Sequence, residues 1–291
     1  RTSSGWSAIN GKRMALLKLI RVRETAFSLP LAYIGMLMAA ETLPPLRIWI
    51  FVTAALVSAR TLGMCLNRIL DKDLDAQNPR TVHRLLPSGE IAVSTALWYV
   101  AGAAVVFVGS AYLLNALCFY LSFPALILLF TYSLVKRFSS LSHFHLGLTE
   151  ACAPIGGALA VDPRFSLPVL LMGCYMICWI AGFDMIYSCQ DREFDRTHRL
   201  FSIPVRCGLQ KTLVISAALH TAAVAVLILI GMLIRAHFLY FVCLAAVCGF
   251  FIRQHTLVSA SDLSRLQAAF FNMNRNISFT VLLAFLLNFI F

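Results

Sequence analysis

The chain has 291 residues, 60% of them hydrophobic and only 13% charged, with a net charge of +11 and nine cysteines. A soluble domain is roughly 45–50% apolar and about 25% charged, so this composition excludes a soluble globular enzyme, a disordered chain and a secreted disulfide scaffold. A mean hydropathy of +0.81, carried in long continuous apolar runs rather than short alternating segments, excludes a membrane β-barrel and leaves an all-α polytopic membrane protein.

Residues 1–24 are basic and partly amphipathic, as from Met14 to Arg23, and are expected to lie along the bilayer surface on the cytoplasmic side. A membrane-spanning helix needs about 20 apolar residues. Nine candidate spans follow, at 25–41, 47–67, 91–113, 115–135, 145–161, 166–188, 211–233, 237–252 and 274–291. The fifth and eighth are short, and Pro154, Gly156 and Gly157 predict a kink or break in the fifth. The chain reads as a single transmembrane domain over residues 1–291, with longer loops at 68–90 and 189–210.

The basic residues sort by side. Of the 24 Lys and Arg, twenty fall in the N-terminal segment and in the loops after spans 2, 4, 6 and 8. Arg47, Arg164 and Arg235 fall on the other side, and Arg60 lies within span 2. The positive-inside rule then predicts a cytoplasmic N-terminus, an outer C-terminus and cytoplasmic active loops. The same rule accounts for the net charge without a nucleic-acid partner. The cysteines form no C-x-x-C pair and no zinc spacing, and read as small buried hydrophobes.

Only 13 residues are acidic, and six of these fall in two five-residue windows: Asp71, Asp73, Asp75 and Asp191, Glu193, Asp195. Asn67, Asp71 and Asp75 are spaced by four, one helical face, with Arg60 seven residues before Asn67. Asp191 and Asp195 repeat the spacing, with Asp184 seven before Asp191, and each window lies 120 residues from its counterpart, as in an internal duplication. Acids at the mouth of a membrane bundle are costly and mark function. Two facing carboxylate pairs make a hard, oxygen-rich site suited to Mg²⁺, and two such ions can clamp a pyrophosphate leaving group. Asp73 and Glu193 fall off the shared face and are expected to pair with Lys72 or Arg192 in solvent.

The segment Asn67-Arg-Ile-Leu-Asp71-Lys-Asp-Leu-Asp75 resembles the N-x-x-x-D-x-x-x-D motif of the UbiA superfamily of intramembrane prenyltransferases, and Tyr187-Ser-Cys-Gln-Asp191-Arg-Glu-Phe-Asp195 resembles its second motif. Asn78-Pro-Arg-Thr81, Tyr132-Ser-Leu-Val-Lys136-Arg137 and Pro154-Ile-Gly-Gly157 fit the same family. The resemblance implies a nine-helix bundle with a central cavity. It also implies Mg²⁺-dependent transfer of a polyprenyl group from polyprenyl diphosphate to the ring of a small aromatic acid, 4-hydroxybenzoate-like or a dihydroxynaphthoate, in quinone biosynthesis. Carried over, Asn67, Asp71, Asp75, Asp191 and Asp195 hold Mg²⁺-diphosphate, with Asp71 and Asp191 central to catalysis. Lys136 and Tyr132 reach the diphosphate oxygens, Arg60 sits deeper near acceptor or diphosphate, and Arg80 and Arg137 are second-rank phosphate contacts. Arg68 and Phe194 stand where many members carry a further Asp.

Asp184 is a candidate base, the residue that orients Tyr187 or a hydrogen-bonded intramembrane acid, and Glu150 in the fifth span is a cavity candidate or the partner of a nearby Ser or Arg. Asn272, Asn274 and Asn276 near the start of the last span read as caps of that helix, with lining of the cavity as the alternative. The seven histidines are scattered and read as loop or interfacial residues. Two alternatives stand beside the prenyltransferase: a secondary transporter with a polar cytoplasm-facing site, and a related enzyme with a haem or lipid precursor as acceptor.

Overall fold

The computed structural model describes the backbone from residue 22 and side chains from residue 28 to the end at residue 291. The expected interfacial segment at 1–24 lies almost wholly outside the described residues. All regular structure among the described residues is helical, with no strand. In chain order the helices are α1 (Val22–Ala39), α2 (Leu46–Leu70), α3 (Lys72–Gln77), α4 (Val93–Leu114), α5 (Ala116–Val135), α6 (Ser142–Val161), α7 (Leu167–Ser188), α8 (Arg192–Thr197), α9 (Ile203–Cys207), α10 (Leu209–Leu233), α11 (Phe238–Thr256) and α12 (Met273–Ile290).

Among the described residues, eight helices are long and apolar enough to cross a membrane, rather than the nine expected. The first expected span differs because its described apolar stretch, Ser28–Ala39, is a shorter helix. Of the kink or break expected in the fifth span, the break is absent: α6 runs as one helix through Pro154. A β-carbon on Gly35 of α1 would collide with the Pro154 carbonyl, and one on Gly157 of α6 would collide with the Ala32 carbonyl. These glycines let α1 and α6 approach backbone to backbone, the small-residue contact that drives helix association in a bilayer. Pro154 thus sits in a packed contact instead of ending the helix.

Among the described residues, the two larger core clusters form two lobes. One is built from α7, α10, α11 and α12 around Tyr175, Trp179, Leu227, Tyr240 and Phe285, all fully buried or nearly so. The other gathers Val52 and Leu56 of α2, Ala111 of α4 and Cys118 of α5. α1 and α6 contribute to both, through Leu31 and Ala151 on one side and Ala32, Met36, Leu159 and Ala160 on the other. The lipid-facing surface keeps its apolar side chains outward, with Val105, Tyr112, Tyr120 and Ile127 all more than 60% exposed. That is the arrangement expected where the surrounding solvent is itself apolar.

The internal repeat is visible in the backbone. α2 ends at Leu70, and α7 ends at Ser188 and continues through a short 3₁₀ turn, Cys189–Asp191. Six-residue helices follow at Lys72–Gln77 and Arg192–Thr197, each 120 residues from its counterpart. Each break falls at the first Asp of its motif. Asp71 leaves helical geometry at φ −95°, ψ 7°, and Asp191 does the same at φ −95°, ψ 2°. The Asp75 amide still donates to the Asp71 carbonyl at 2.7 Å, so the shared face persists across the bend. Gly208, at φ +79°, turns the chain from α9 into α10, a conformation open to glycine at little cost.

Candidate active site

A cavity of about 640 Å³ opens between the two lobes. Its deep wall is apolar, with Leu31, Val52, Leu114, Leu121 and Leu159. Its mouth carries Asn67, Asp71, Asp75, Arg80, Lys136, Asp191 and Asp195, so residues far apart in the chain meet at one end of the bundle. Arg60, Tyr132, Asp184 and Tyr187 also line it. Arg137 does not; its guanidinium donates to the Leu70 carbonyl and to Asp71 Oδ1.

The two motifs are tied to each other across the mouth. Arg80 donates to both oxygens of Asp191, from Nε at 2.9 Å and Nη2 at 2.7 Å, and Asn78 adds a bond to Asp191 Oδ1 at 3.3 Å. Burial works against the charge on Arg80, yet the hydrogen bonds and charge of Asp191 outweigh it and raise the Arg80 pKa above its ordinary value. Arg80 also lies over the Tyr187 ring, 5.6 Å from its centroid.

The remaining carboxylates have local partners. Lys136 Nζ sits 3.0 Å from Asp71 Oδ2, and Arg84 Nη1 sits 2.7 Å from both oxygens of Asp75. Asn67 donates from Nδ2 to Asp71 Oδ2 and to Ser133 Oγ, while Arg68 donates to Asn67 Oδ1. Arg68 is buried, 4.0 Å from Asp75, so the residue that departs from the family pattern places a cation inside the first motif. Glu193 pairs with Arg192 and Arg196 away from the cavity, as its off-face position implies.

The donor set of Asn67 and four aspartates is all oxygen and fits a hard divalent cation. Among the described residues no group of three or more acid, His or Cys side chains is drawn together as a closed metal shell. Asp71, Asp75 and Asp191 are held instead by Lys and Arg, which can exchange a carboxylate for phosphate oxygens.

Several expected roles shift in the folded chain. Tyr132 donates its hydroxyl to the Gly63 carbonyl at 3.0 Å, one turn deeper than Lys136, and so braces α5 against α2. Asp184 does not orient Tyr187; it pairs with His143 at 2.7 Å. Asn274 is buried and is no cap: it accepts from Trp179 Nε1 at 3.1 Å and donates to the Phe270 carbonyl. Its neighbour Asn272 makes no side-chain capping bond either.

Other features are fixed only by the packing. Arg60 reaches Glu150 at 2.7 Å across 90 residues, placing an ion pair inside the cavity. A π-helical turn, Ala268–Asn272, precedes α12 and sets Phe270 and Phe271 on the cavity wall. Phe270 packs on Tyr187 at 4.2 Å and on Phe183 at 5.2 Å, forming an aromatic flank. A π turn is not legible as an apolar period, although such turns gather at functional sites.

The sequence matches the UbiA prenyltransferase family over residues 28–277. A 4-hydroxybenzoate octaprenyltransferase of Psychromonas ingrahamii is 29% identical over 268 residues, covering 90% of this chain and 92% of the relative. A protein of the same name from Francisella tularensis subsp. novicida is 27% identical over 223 residues, covering 77% and 78%. Among solved structures, the apo structure of a UbiA homolog from Aeropyrum pernix K1 has a TM-score of 0.83 at 34% identity and covers 91% of this chain and 97% of that one. A UbiA homolog from Archaeoglobus fulgidus bound to GPP and Mg²⁺ shares the fold, with a TM-score of 0.73 at 16% identity and coverage of 93% and 99%. The helical bundle, the paired aspartate motifs across its cavity and these likenesses together make the chain a member of the UbiA prenyltransferase family, an integral membrane prenyltransferase.

Proposed function

We propose that the protein transfers a polyprenyl group from polyprenyl diphosphate to the ring of a small aromatic acid, 4-hydroxybenzoate or a close analogue, with Mg²⁺ as cofactor. The observation that carries this reading is the convergence of both aspartate motifs on one polar mouth above an apolar cavity, joined by Arg80 and Asn78. The names of the relatives support 4-hydroxybenzoate as the acceptor. The bound GPP and Mg²⁺ of the Archaeoglobus homolog support a prenyl diphosphate donor and a divalent metal.

In this reading Asn67, Asp71, Asp75, Asp191 and Asp195 hold the metal-bound diphosphate. Bound Mg²⁺ would supply charge neutralisation of the leaving diphosphate. Lys136, Arg80 and Arg84 exchange their carboxylate partners for phosphate oxygens and stabilise the charge that grows as the C–O bond breaks. The prenyl tail follows the apolar wall between the lobes. Phe183, Tyr187, Phe270 and Phe271 offer ring faces to the allylic cation. Arg60 receives the acceptor's carboxylate: one of its nitrogens already binds Glu150, while its buried Nε has no hydrogen-bond partner. The gathering of acids at one mouth, rather than at midplane, is the feature a transporter site would lack. The excess of Lys and Arg at that end supports a cytoplasmic mouth, and the bacterial relatives support a bacterial inner membrane.

The test is an acceptor screen on membranes containing the protein. Geranyl diphosphate and Mg²⁺ are supplied with 4-hydroxybenzoate or a dihydroxynaphthoate, and prenylated product is read by mass spectrometry. EDTA and Asp71→Ala serve as controls. Mg²⁺-dependent product from 4-hydroxybenzoate is expected; product from the naphthoate alone would reassign the acceptor, and no product from either would sink the reading.

A further inference from the structure

Four of the cavity carboxylates are held by cations: Asp71 by Lys136, Asp75 by Arg84, Asp191 by Arg80 and Glu150 by Arg60. Asp195 sits with Asp191 among the motif residues at the mouth. Asp184 differs in both respects. It lies on α7 two helical turns before the second motif, lines the cavity, and its partner is an imidazole, His143, with Nδ1 2.7 Å from Oδ2. His143 is buried, near the start of α6.

The surroundings of His143 define its tautomer. Its Nε2 faces the backbone N–H of Ile203 at 3.4 Å, and an amide N–H can only donate. Nε2 is therefore the acceptor nitrogen of a neutral ring, and Nδ1 carries the proton that is donated to Asp184. One oxygen of Asp184 is fixed by that bond. The other, Oδ1, has no hydrogen-bonding partner among the described residues, and the Asp184 side chain keeps 25% exposure. A carboxylate saturated by an Arg or Lys is a weak proton acceptor, whereas one oriented by a neutral N–H keeps a free lone pair for a proton.

Building on the proposed reaction, we propose that Asp184 is the catalytic base that removes the ring proton after alkylation, and that His143 is the residue that positions it. The allylic C–O bond breaks and its electron pair leaves with the diphosphate. The acceptor ring's π electrons form the new C–C bond to the allylic carbon. The electron pair of the ring C–H bond then returns to the ring, and its proton passes to Asp184 Oδ1. No other reactant is needed. Ile203 belongs to the segment that follows the second motif, so the N–H that sets the His143 tautomer is tied to the mouth of the site.

The experiment compares the unaltered protein with Asp184→Asn, His143→Leu and His143→Asn, in membranes, with geranyl diphosphate, Mg²⁺ and 4-hydroxybenzoate. Asp184→Asn is expected to lower kcat by about 100-fold or more, the range of general-base catalysis, with little change in KM for geranyl diphosphate. His143→Leu is expected to lower kcat by roughly tenfold or more through misplacement of the base. His143→Asn, whose amide nitrogen takes the place of Nδ1, restores most of it. The decisive readout is a kinetic isotope effect with 4-hydroxybenzoate deuterated at the two carbons flanking its hydroxyl. Loss of the base makes proton removal rate-limiting, so an isotope effect larger than that of the unaltered protein emerges in Asp184→Asn and His143→Leu and recedes in His143→Asn. A merely structural role lowers the rate without any isotope effect. If the unaltered protein makes no prenylated product, the reading on which the proposal rests fails and the proposal with it. If it makes product while the Asp184 and His143 variants keep full rate, or lose rate without an isotope effect, the proposal alone is overturned.

Discussion

At the scale of single residues, the site stores its positive charge on its own carboxylates. Asp71 is 2% exposed and answers both Lys136 and Arg137. Removing it takes away a proposed metal ligand and leaves Lys136 and Arg137 without the carboxylate they share. Asp71→Ala is expected to lower kcat by at least about 100-fold, as loss of one electrostatic group from a preorganised site does, measured as Mg²⁺-dependent prenyl transfer with protein levels matched. Arg80 makes a two-pronged contact with Asp191 that a lysine cannot copy. Arg80→Lys should therefore keep the charge yet lose most of the tie between motifs. The expected result is a raised KM for prenyl diphosphate, with kcat changed less than in Asp71→Ala. Equal activity in Arg80→Lys and the unaltered protein would show that charge alone matters there.

Among the elements, the contact between α1 and α6 decides how the two lobes meet. Both helices belong to both cores, and Gly35 and Gly157 at the crossing leave no space for a β-carbon. Gly157→Val is expected to destabilise the bundle by about 1–3 kcal/mol, the usual cost of overpacking, read as a lower thermal unfolding midpoint in detergent. Gly156, the neighbour of Gly157 on the same helix, has open space where a β-carbon would stand. Gly156→Ala therefore serves as the matched control and should leave the midpoint nearly unchanged.

For the whole molecule, the charge bias and the position of the site make one statement about sidedness. Lys136, Arg80 and Asp191 meet at one end, while the Arg164–Asp162 pair lies in the loop at the other. If the motif end faces the cytoplasm, α12 ends outside. A C-terminal alkaline phosphatase fusion is then expected to be active, and a fusion placed after Gly89 inactive. The reverse pattern would invert the proposed orientation. The eight long helices and two-lobed core also explain why the apolar wall reaches deep into the bundle: the cavity follows the seam where α1 and α6 are shared.

What the sequence by itself determined is what depends on local composition and spacing. Hydropathy placed eight of the spans to within a few residues, because the bilayer demands a continuous apolar stretch whatever the neighbours are. The spacing of Asn67, Asp71 and Asp75, with the aspartates repeated 120 residues later, marked the two motifs, because helical periodicity is local. Only the tertiary structure decided which charges meet. Arg80 finds Asp191 across 111 residues, Arg60 finds Glu150 across 90, and His143 finds Asp184 across 41. Such pairings follow from how helices pack and rotate against one another, and no periodicity along the chain encodes them. The same packing turned Pro154 into a contact, Asn274 into a buried acceptor and a π turn into an aromatic flank, each through neighbours that lie far away in sequence.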